Sequence, residues 1–270
     1  MRTALLERQK RVIAARRAAV VACVLAAALG AVMMGCVGGM PKVPDDPEKL
    51  LEKGDNYYQR ERYFGAQELF KAFITRYPGH DRSDYAQFML GESYYADRDY
   101  AMAAVEYQIL VTNYGYSEYV DDGYFKQALC AFNQSPKPQL DQTHAYQALD
   151  KLEQFIQVFT QSPLIPEAQE YIKQIHLKLA EKEYDNAEFY FRTKRYISSL
   201  VYLNKIIDNY PDNEYWVRAL YLKAKVFYAR GEKKDEALEL IQQVLDQPDN
   251  KRLDEVKRRA KVLRDDVERM

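Results

Sequence analysis

The strongest constraint on this chain of 270 residues is a spacing that recurs along it. Its first clear copy is Gly54, Tyr57, Ala66, Phe70 and then Tyr77-Pro78. A small residue is followed three positions on by an aromatic one. Twelve positions after the small residue comes Ala, then an aromatic residue four further on, then Tyr-Pro. Offsets of three and four keep residues on one helical face, and proline stops the second helix. Small residues let two antiparallel helices meet closely. A single pair of this kind cannot bury its own apolar face, so neighbouring copies must stack.

The second copy is Gly91, Tyr94, Ala103, Tyr107 and Tyr114-Gly115. The third has Ala148, Leu152 and Phe155 in its second helix, after an interrupted first helix. The fourth is Ala187, Tyr190, Ser199, Leu203 and Tyr210-Pro211, and the fifth is Ala224, Phe227, Ala237 and Ile241, followed by Pro248. This resembles the tetratricopeptide (TPR) arrangement. It predicts an all-α fold, a TPR-like superhelix of about five helix pairs. The charged, amphipathic stretch from Asp249 to Met270, with Leu253, Val256, Ala260, Val262, Leu263 and Val267, reads as a C-terminal capping helix.

The irregularities are informative too. Anchor residues 66, 103, 148, 199 and 237 are 37, 45, 51 and 38 apart, against about 34 in an uninterrupted array. Gln134-Ser135-Pro136-Lys137-Pro138 breaks the third pair and is expected to be an exposed loop. Pro163 and Pro166 open a helix without Gly or Pro from Glu167 to about Phe191. That helix is expected to join two sub-arrays, with repeats one and two over 46–116 and repeats three to five with the cap over 117–270.

The start of the chain reads as a leader. Six basic residues, from Arg2 to Arg17, precede an apolar run from Ala18 to Met34, which ends at Met33-Met34-Gly35-Cys36. A basic stretch, an apolar stretch and a small residue before a cut mark a secretory signal, assigned to 1–35. Gly35-Cys36 is similar to a lipobox, at which a bacterial lipoprotein is cleaved and acylated, for example with palmitate. A transmembrane anchor is the other reading, since seventeen apolar residues are the lower edge of a span. Residues 36–45 read as a flexible tether. An acylated Cys36 anchors a protein to a membrane without spanning it.

Composition narrows the function. Loss of 1–35 removes six basic residues and one acidic, leaving 33 basic against 39 acidic, a net charge of −6. That excludes the basic footprint needed for nucleic acid. Cys130 would be the one unmodified thiol, set in an apolar helical stretch, and reads as a buried small hydrophobe. His80, His144 and His176 are far apart and form no metal-ligand spacing. There is no nucleophile elbow, phosphate loop or dinucleotide fingerprint. The expectation is a protein that is not an enzyme and holds no metal or cofactor beyond the lipid.

Two further segments sharpen the resemblance. One is Asp141-Gln142-Thr143 entering the second helix of repeat three. The other runs from Leu179 to Tyr190 and on through Tyr196-Ile197-Ser198-Ser199-Leu200 to Asn209-Tyr210-Pro211. With the lipobox-like start and the order of insertions, the chain resembles the BamD family, the TPR lipoproteins of the β-barrel assembly (BAM) machinery, over roughly 46–248. The resemblance implies a lipid-anchored protein on the periplasmic face of the outer membrane. Its C-terminal repeats would dock POTRA modules of a BamA-type barrel protein, beside other BAM lipoproteins. Its N-terminal repeats would receive the aromatic-ended targeting strand of unfolded outer-membrane proteins. Candidate residues for that groove are Tyr58 and Tyr95, which offer an apolar face with a polar tip, and Arg60, Arg62 and Arg98, which suit a carboxylate. Tyr57, Tyr63 and Tyr94 occupy positions that stack repeats in any such array. Another TPR lipoprotein scaffold, serving pilus or cell-envelope assembly, is the alternative.

Overall fold

The computed structural model describes residues 41–248 and 250–269. The leader, Cys36 and the tether up to Met40 lie outside the described residues. Eleven α-helices follow one another among the described residues, with no strand: α1 Pro47–Gln59, α2 Tyr63–Arg76, α3 Ser83–Ala96, α4 Tyr100–Asn113, α5 Val120–Gln134, α6 Thr143–Val158, α7 Ile165–Arg192, α8 Tyr196–Asn209, α9 Glu214–Arg230, α10 Lys234–Leu245 and α11 Asp254–Glu268. They make five pairs and a cap. Each helix packs on its predecessor and successor through the whole series.

The recurring spacing has a direct physical meaning. A Cβ added to Gly54 would lie 2.7 Å from the ring of Phe70, and one added to Gly91 would lie 2.7 Å from the ring of Tyr107. In repeats one and two the small residue of the first helix is therefore the seat for the large residue sixteen positions on, in the second helix. Ala66, Phe70, Ala103, Tyr107, Ser199, Leu203, Ala237 and Ile241 are all fully buried.

The turn inside the pair also repeats, in all repeats but the third. In repeat one, Arg62 N–H donates to Tyr57 O at 2.9 Å and Glu61 N–H to Tyr58 O at 2.9 Å. Asp99 to Tyr94, with Arg98 to Tyr95, and Arg195 to Tyr190, with Lys194 to Phe191, reproduce it. This is the Schellman ending, which satisfies the last carbonyls of the first helix and sets one residue left-handed. Those residues are Glu61, Arg98 and Lys194, at φ of 57°, 67° and 59°, and in repeat five Gly231, at 64°. Asp46, Asp99 and Asn213 cap α1, α4 and α9 through their side chains.

Three expectations change. The first helix of repeat three is not interrupted: α5 runs unbroken to Gln134, and the prolines lengthen the turn after it. That turn is not a free, exposed loop. Gln142, only 2% exposed, donates from Nε2 to the carbonyls of Lys137 at 2.8 Å and Leu140 at 3.2 Å. Lys178 Nζ on α7 donates to Ser135 Oγ at 2.7 Å, and Lys182 Nζ to Leu140 O at 2.7 Å. Buried polar groups and backbone carbonyls demand partners, and α7 supplies them. Nor is α7 a connector between sub-arrays. It is the first helix of repeat four, extended at its start, and it packs on α6, α8 and α9.

The end of the expected tether is also held. Val43 packs on the core of α1 and α2. Lys53 Nζ donates to Lys42 O at 2.6 Å, Arg76 Nη1 to Pro44 O at 3.3 Å, and Tyr77 O–H to Asp45 O. Residues 41–45 therefore line repeat one, and the rest of the expected tether lies outside the described residues. The cap is where the sequence places it, with Leu253, Ala260, Leu263 and Val267 buried against α9 and α10. Among the described residues no helix is long and apolar enough to cross a membrane.

Candidate functional site

Helical period places Tyr58 one turn after Gly54 on α1, and Tyr95 one turn after Gly91 on α3. Both are half-buried. Their rings are tied to their own repeat. Tyr58 meets Tyr63 edge-on at 5.7 Å between centroids, and Tyr95 meets Tyr100 edge-on at 5.3 Å. Phe191 and Tyr196 make the corresponding pair in repeat four, at 5.8 Å. The position thus carries a cross-turn contact in three repeats.

Tyr95 is the better built of the two. Its hydroxyl accepts from Asn133 Nδ2 on α5 at 2.8 Å, and Lys126 Nζ lies 4.9 Å from its ring centroid. Burial pushes the phenol up to about 12. Lys126 in turn pairs with Glu92 on α3 at 2.8 Å. Glu92 also accepts the hydroxyl of the fully buried Tyr107 at 2.5 Å. Burial raises the Tyr58 phenol as well, followed by the charge of Glu92. A connected run of aromatic and charged groups therefore crosses α1, α3 and α5.

The arginines sit elsewhere on this face. Arg60 and Arg62 are exposed and flank left-handed Glu61 in the α1–α2 turn, with the Arg62 guanidinium 5.8 Å from the Tyr57 ring centroid. Arg98 is exposed and holds the left-handed position of the α3–α4 turn. The structure groups Arg60 and Arg62 with Tyr58 at one turn, and Arg98 with Tyr95 at the next. It does not enclose all five residues in one pocket. Tyr57 and Tyr94 are packing residues: Tyr57 fills the space above Gly65, and Tyr94 joins the cores of repeats one and two, while Tyr63 meets Tyr58 across the turn.

Sequence reasoning missed Glu92, Lys126 and Asn133. Glu92 and Lys126 carry opposite charges and stand 34 positions apart, the period of an uninterrupted array, and that spacing was the available signal. Cys130 is fully buried and burial pushes its thiol up to about 12, the setting of an unreactive thiol. His176 is half-buried against Tyr210, with ring centroids 5.6 Å apart, and its desolvation lowers its pKa. No group of three or more metal-ligating side chains occurs among the described residues.

Residues 44–240 match the YfiO family, described as outer membrane lipoprotein. The outer membrane protein assembly factor BamD of Caulobacter vibrioides is 23% identical over 226 residues, covering 82% of this chain and 73% of that protein. The BamD of Vibrio cholerae is 22% identical over 210 residues, covering 74% and 87%. Among solved structures, a TPR repeats protein from Bacteroides fragilis aligns with a TM-score of 0.48 at 13% identity, covering 84% of this chain and 100% of that one. The match spans most of the described helix pairs, and the chain belongs to the YfiO family of outer membrane lipoproteins.

Proposed function

We propose that this chain is a scaffold of outer-membrane protein assembly, held at the periplasmic face of the outer membrane by lipid on Cys36. Its C-terminal repeats dock POTRA modules of a BamA-type barrel protein, alongside other lipoproteins of that machinery. Its N-terminal first-helix face receives the targeting strand of unfolded outer-membrane proteins. The observation that carries this reading is the family match over residues 44–240, which runs through four helix pairs and into the fifth. An array of stacked pairs offers extended surface and no reactive site. Repeat four supports a docking role: Phe189, Ile197 and Val201 are 54%, 63% and 62% exposed, beside exposed Arg192, Lys194 and Arg195. Exposed apolar side chains of this kind mark interaction surfaces when they cluster.

The test is affinity capture of the full chain from solubilised envelopes, paired with Cys36→Ala. The expected result is a POTRA-bearing barrel protein in the capture, and loss of membrane attachment in the variant. Capture of pilus or other envelope components with no barrel protein would overturn the assembly role. Unchanged processing and location of Cys36→Ala would remove the lipid anchor from the reading.

A further inference from the structure

Three turns between consecutive repeats share one hydrogen bond. His80 N–H donates to Tyr77 O at 3.0 Å, Ser117 N–H to Tyr114 O at 2.8 Å, and Ser162 N–H to Phe159 O at 3.0 Å. The residues just before the three donors are Gly79, Tyr116 and Gln161. The turn therefore asks for no aromatic side chain there, and Tyr116 packs on nothing, since it is fully exposed. Open clefts lie on both sides of it. One, of about 330 Å³, is lined by His80, Asp81, Asp84 and Asn113. The other, of about 480 Å³, is lined by Val120, Asp121, Val158, Phe159 and Pro163. Gly115, Tyr116 and Ser117 are common to both.

The two clefts differ in chemistry. The larger has an apolar wall, on which Val158 is 65% exposed. The smaller is acidic. Together the linings hold the carboxylates of Asp81, Asp84 and Asp121 and neither lysine nor arginine. Exposed Glu118 adds another acid beside them. Asp84 and Asp121 are held in place. Ser117 Oγ donates to Asp84 Oδ2 at 2.6 Å, and Ser162 Oγ to Asp121 Oδ2 at 2.8 Å. Each also accepts a backbone N–H at the start of its helix, from Tyr85 at 2.7 Å and from Asp122 at 3.0 Å. Asp84, Glu118 and Asp121 form no ion pair among the described residues. Arg82, two residues from Asp84, pairs instead with Glu48 at 3.2 Å.

We infer that this edge is a docking surface for a basic segment of a partner protein, one that sets an arginine beside a large apolar side chain. A guanidinium stacks on a tyrosine ring and takes carboxylates bidentately. The residue next to it would enter the apolar cleft. A tyrosine flanked by such clefts is the kind of anchor on which interfaces concentrate their binding energy. Other occupants fit the charge less well. A second copy of this chain would bring the same acids. Anionic lipid headgroups would repel them. Residues 36–40 carry no charge, and every basic residue before Pro41 lies within 2–17, in the segment read as a leader. The surface is also separate from the face of Tyr58 and Tyr95, which sit at the turns inside the pairs. Those turns are at the opposite ends of helices such as α3, with 14 residues, about 20 Å away.

The probe is the hexapeptide Gly-Ser-Phe-Arg-Ser-Gly, acetylated and amidated so that it carries no terminal charge. It is titrated into the isotopically labelled full chain and followed by amide NMR. The expected result is saturable shifts at Gly115, Tyr116 and Ser117. Affinity should fall about tenfold when citrulline replaces the arginine, and it should weaken with added salt. Tyr116→Ser and Asp81→Lys, both at exposed positions, are expected to weaken binding likewise while circular dichroism stays unchanged. Equal binding of the citrulline peptide would overturn the charge assignment. Shifts centred on Tyr58 or Tyr95 and untouched by Tyr116→Ser would overturn the site. Absence of saturable shifts at millimolar peptide would sink the docking surface without touching capture of a barrel protein, which tests the scaffold role by itself. Tyr116 shifts that differ between chains with and without residues 1–35, before peptide is added, would give the surface to the chain's own basic start and overturn a partner.

Discussion

Repeats one and two solve the contact between paired helices differently from repeats four and five. In the first two, glycine faces an aromatic ring: Gly54 against Phe70 and Gly91 against Tyr107. In the last two, alanine shares a core with an aliphatic residue, Ala187 with Leu203 and Ala224 with Ile241. The summed volume is what the pairs have in common. Close packing holds volume nearly constant while leaving the residue types free. The difference also has a consequence for the surface. Tyr107 carries a hydroxyl into the core, and a buried hydroxyl needs a partner. Glu92 provides it, and Glu92 holds Lys126 beside Tyr95. The N-terminal core is thereby wired to the candidate face, whereas Leu203 and Ile241 have no polar atom with which to do the same.

The largest test of that contrast is overpacking. Gly91→Leu drives a side chain into the Tyr107 ring and is expected to cost about 3 kcal/mol, read as a lower urea midpoint at constant slope. Gly54→Ala should cost less, about 1 to 2 kcal/mol. Combining it with Phe70→Leu turns repeat one into the geometry of repeat four, and part of the loss should return. A double variant no more stable than the worse single one would show that the two residues do not trade volume. Ala187→Gly should cost about 1 to 2 kcal/mol, through chain entropy and the loss of a buried methyl beside Leu203.

A middle-sized effect is expected where the array is irregular. Gln142→Ala strips the turn after α5 of the amide that satisfies the Lys137 and Leu140 carbonyls. The expected loss is about 2 kcal/mol. Amide hydrogen exchange should quicken between residues 135 and 142 before it changes in repeats one and two. Uniform change across the chain would mean that the turn is not an independent weak point.

Helix pairing was legible because its cause is local. The offsets of three, four and twelve among Gly54, Tyr57, Ala66 and Phe70 are the contact geometry itself, so spacing and packing are one statement. The cap was legible for the same reason, as Leu253, Ala260, Leu263 and Val267 lie on one helical face. The turn at 135–142 was misread because composition alone was weighed. Two prolines forbid helix, but whether a non-helical segment is solvated depends on donors 40 or more positions away, such as Lys178 and Lys182 on α7. The candidate face was half legible. Tyr58 and Tyr95 stand out as aromatics one turn beyond the small residues, yet their edge contacts with Tyr63 and Tyr100 require the turn geometry. The Glu92–Lys126 pair joins two repeats, and a pattern sought within each copy does not register a charge pair between copies.

The smallest effect separates the turns from the cores. Glu61, Arg98 and Lys194 occupy left-handed backbone that glycine alone enters without strain, and Gly231 fills that place in repeat five. Arg98→Gly and Lys194→Gly are each expected to raise stability by about 1 kcal/mol, and Gly231→Ala to lower it by about as much. Because the turn hydrogen bonds are the same in repeats two and four, the two gains should match, in contrast to the unequal core substitutions. Thermal melts of the two single variants and of the double variant check this, since sites this far apart should add. If Arg98→Gly destabilises while Lys194→Gly stabilises, the Arg98 side chain makes a contribution beyond its turn. It would then have to be reassigned from a backbone position to a working part of the N-terminal face.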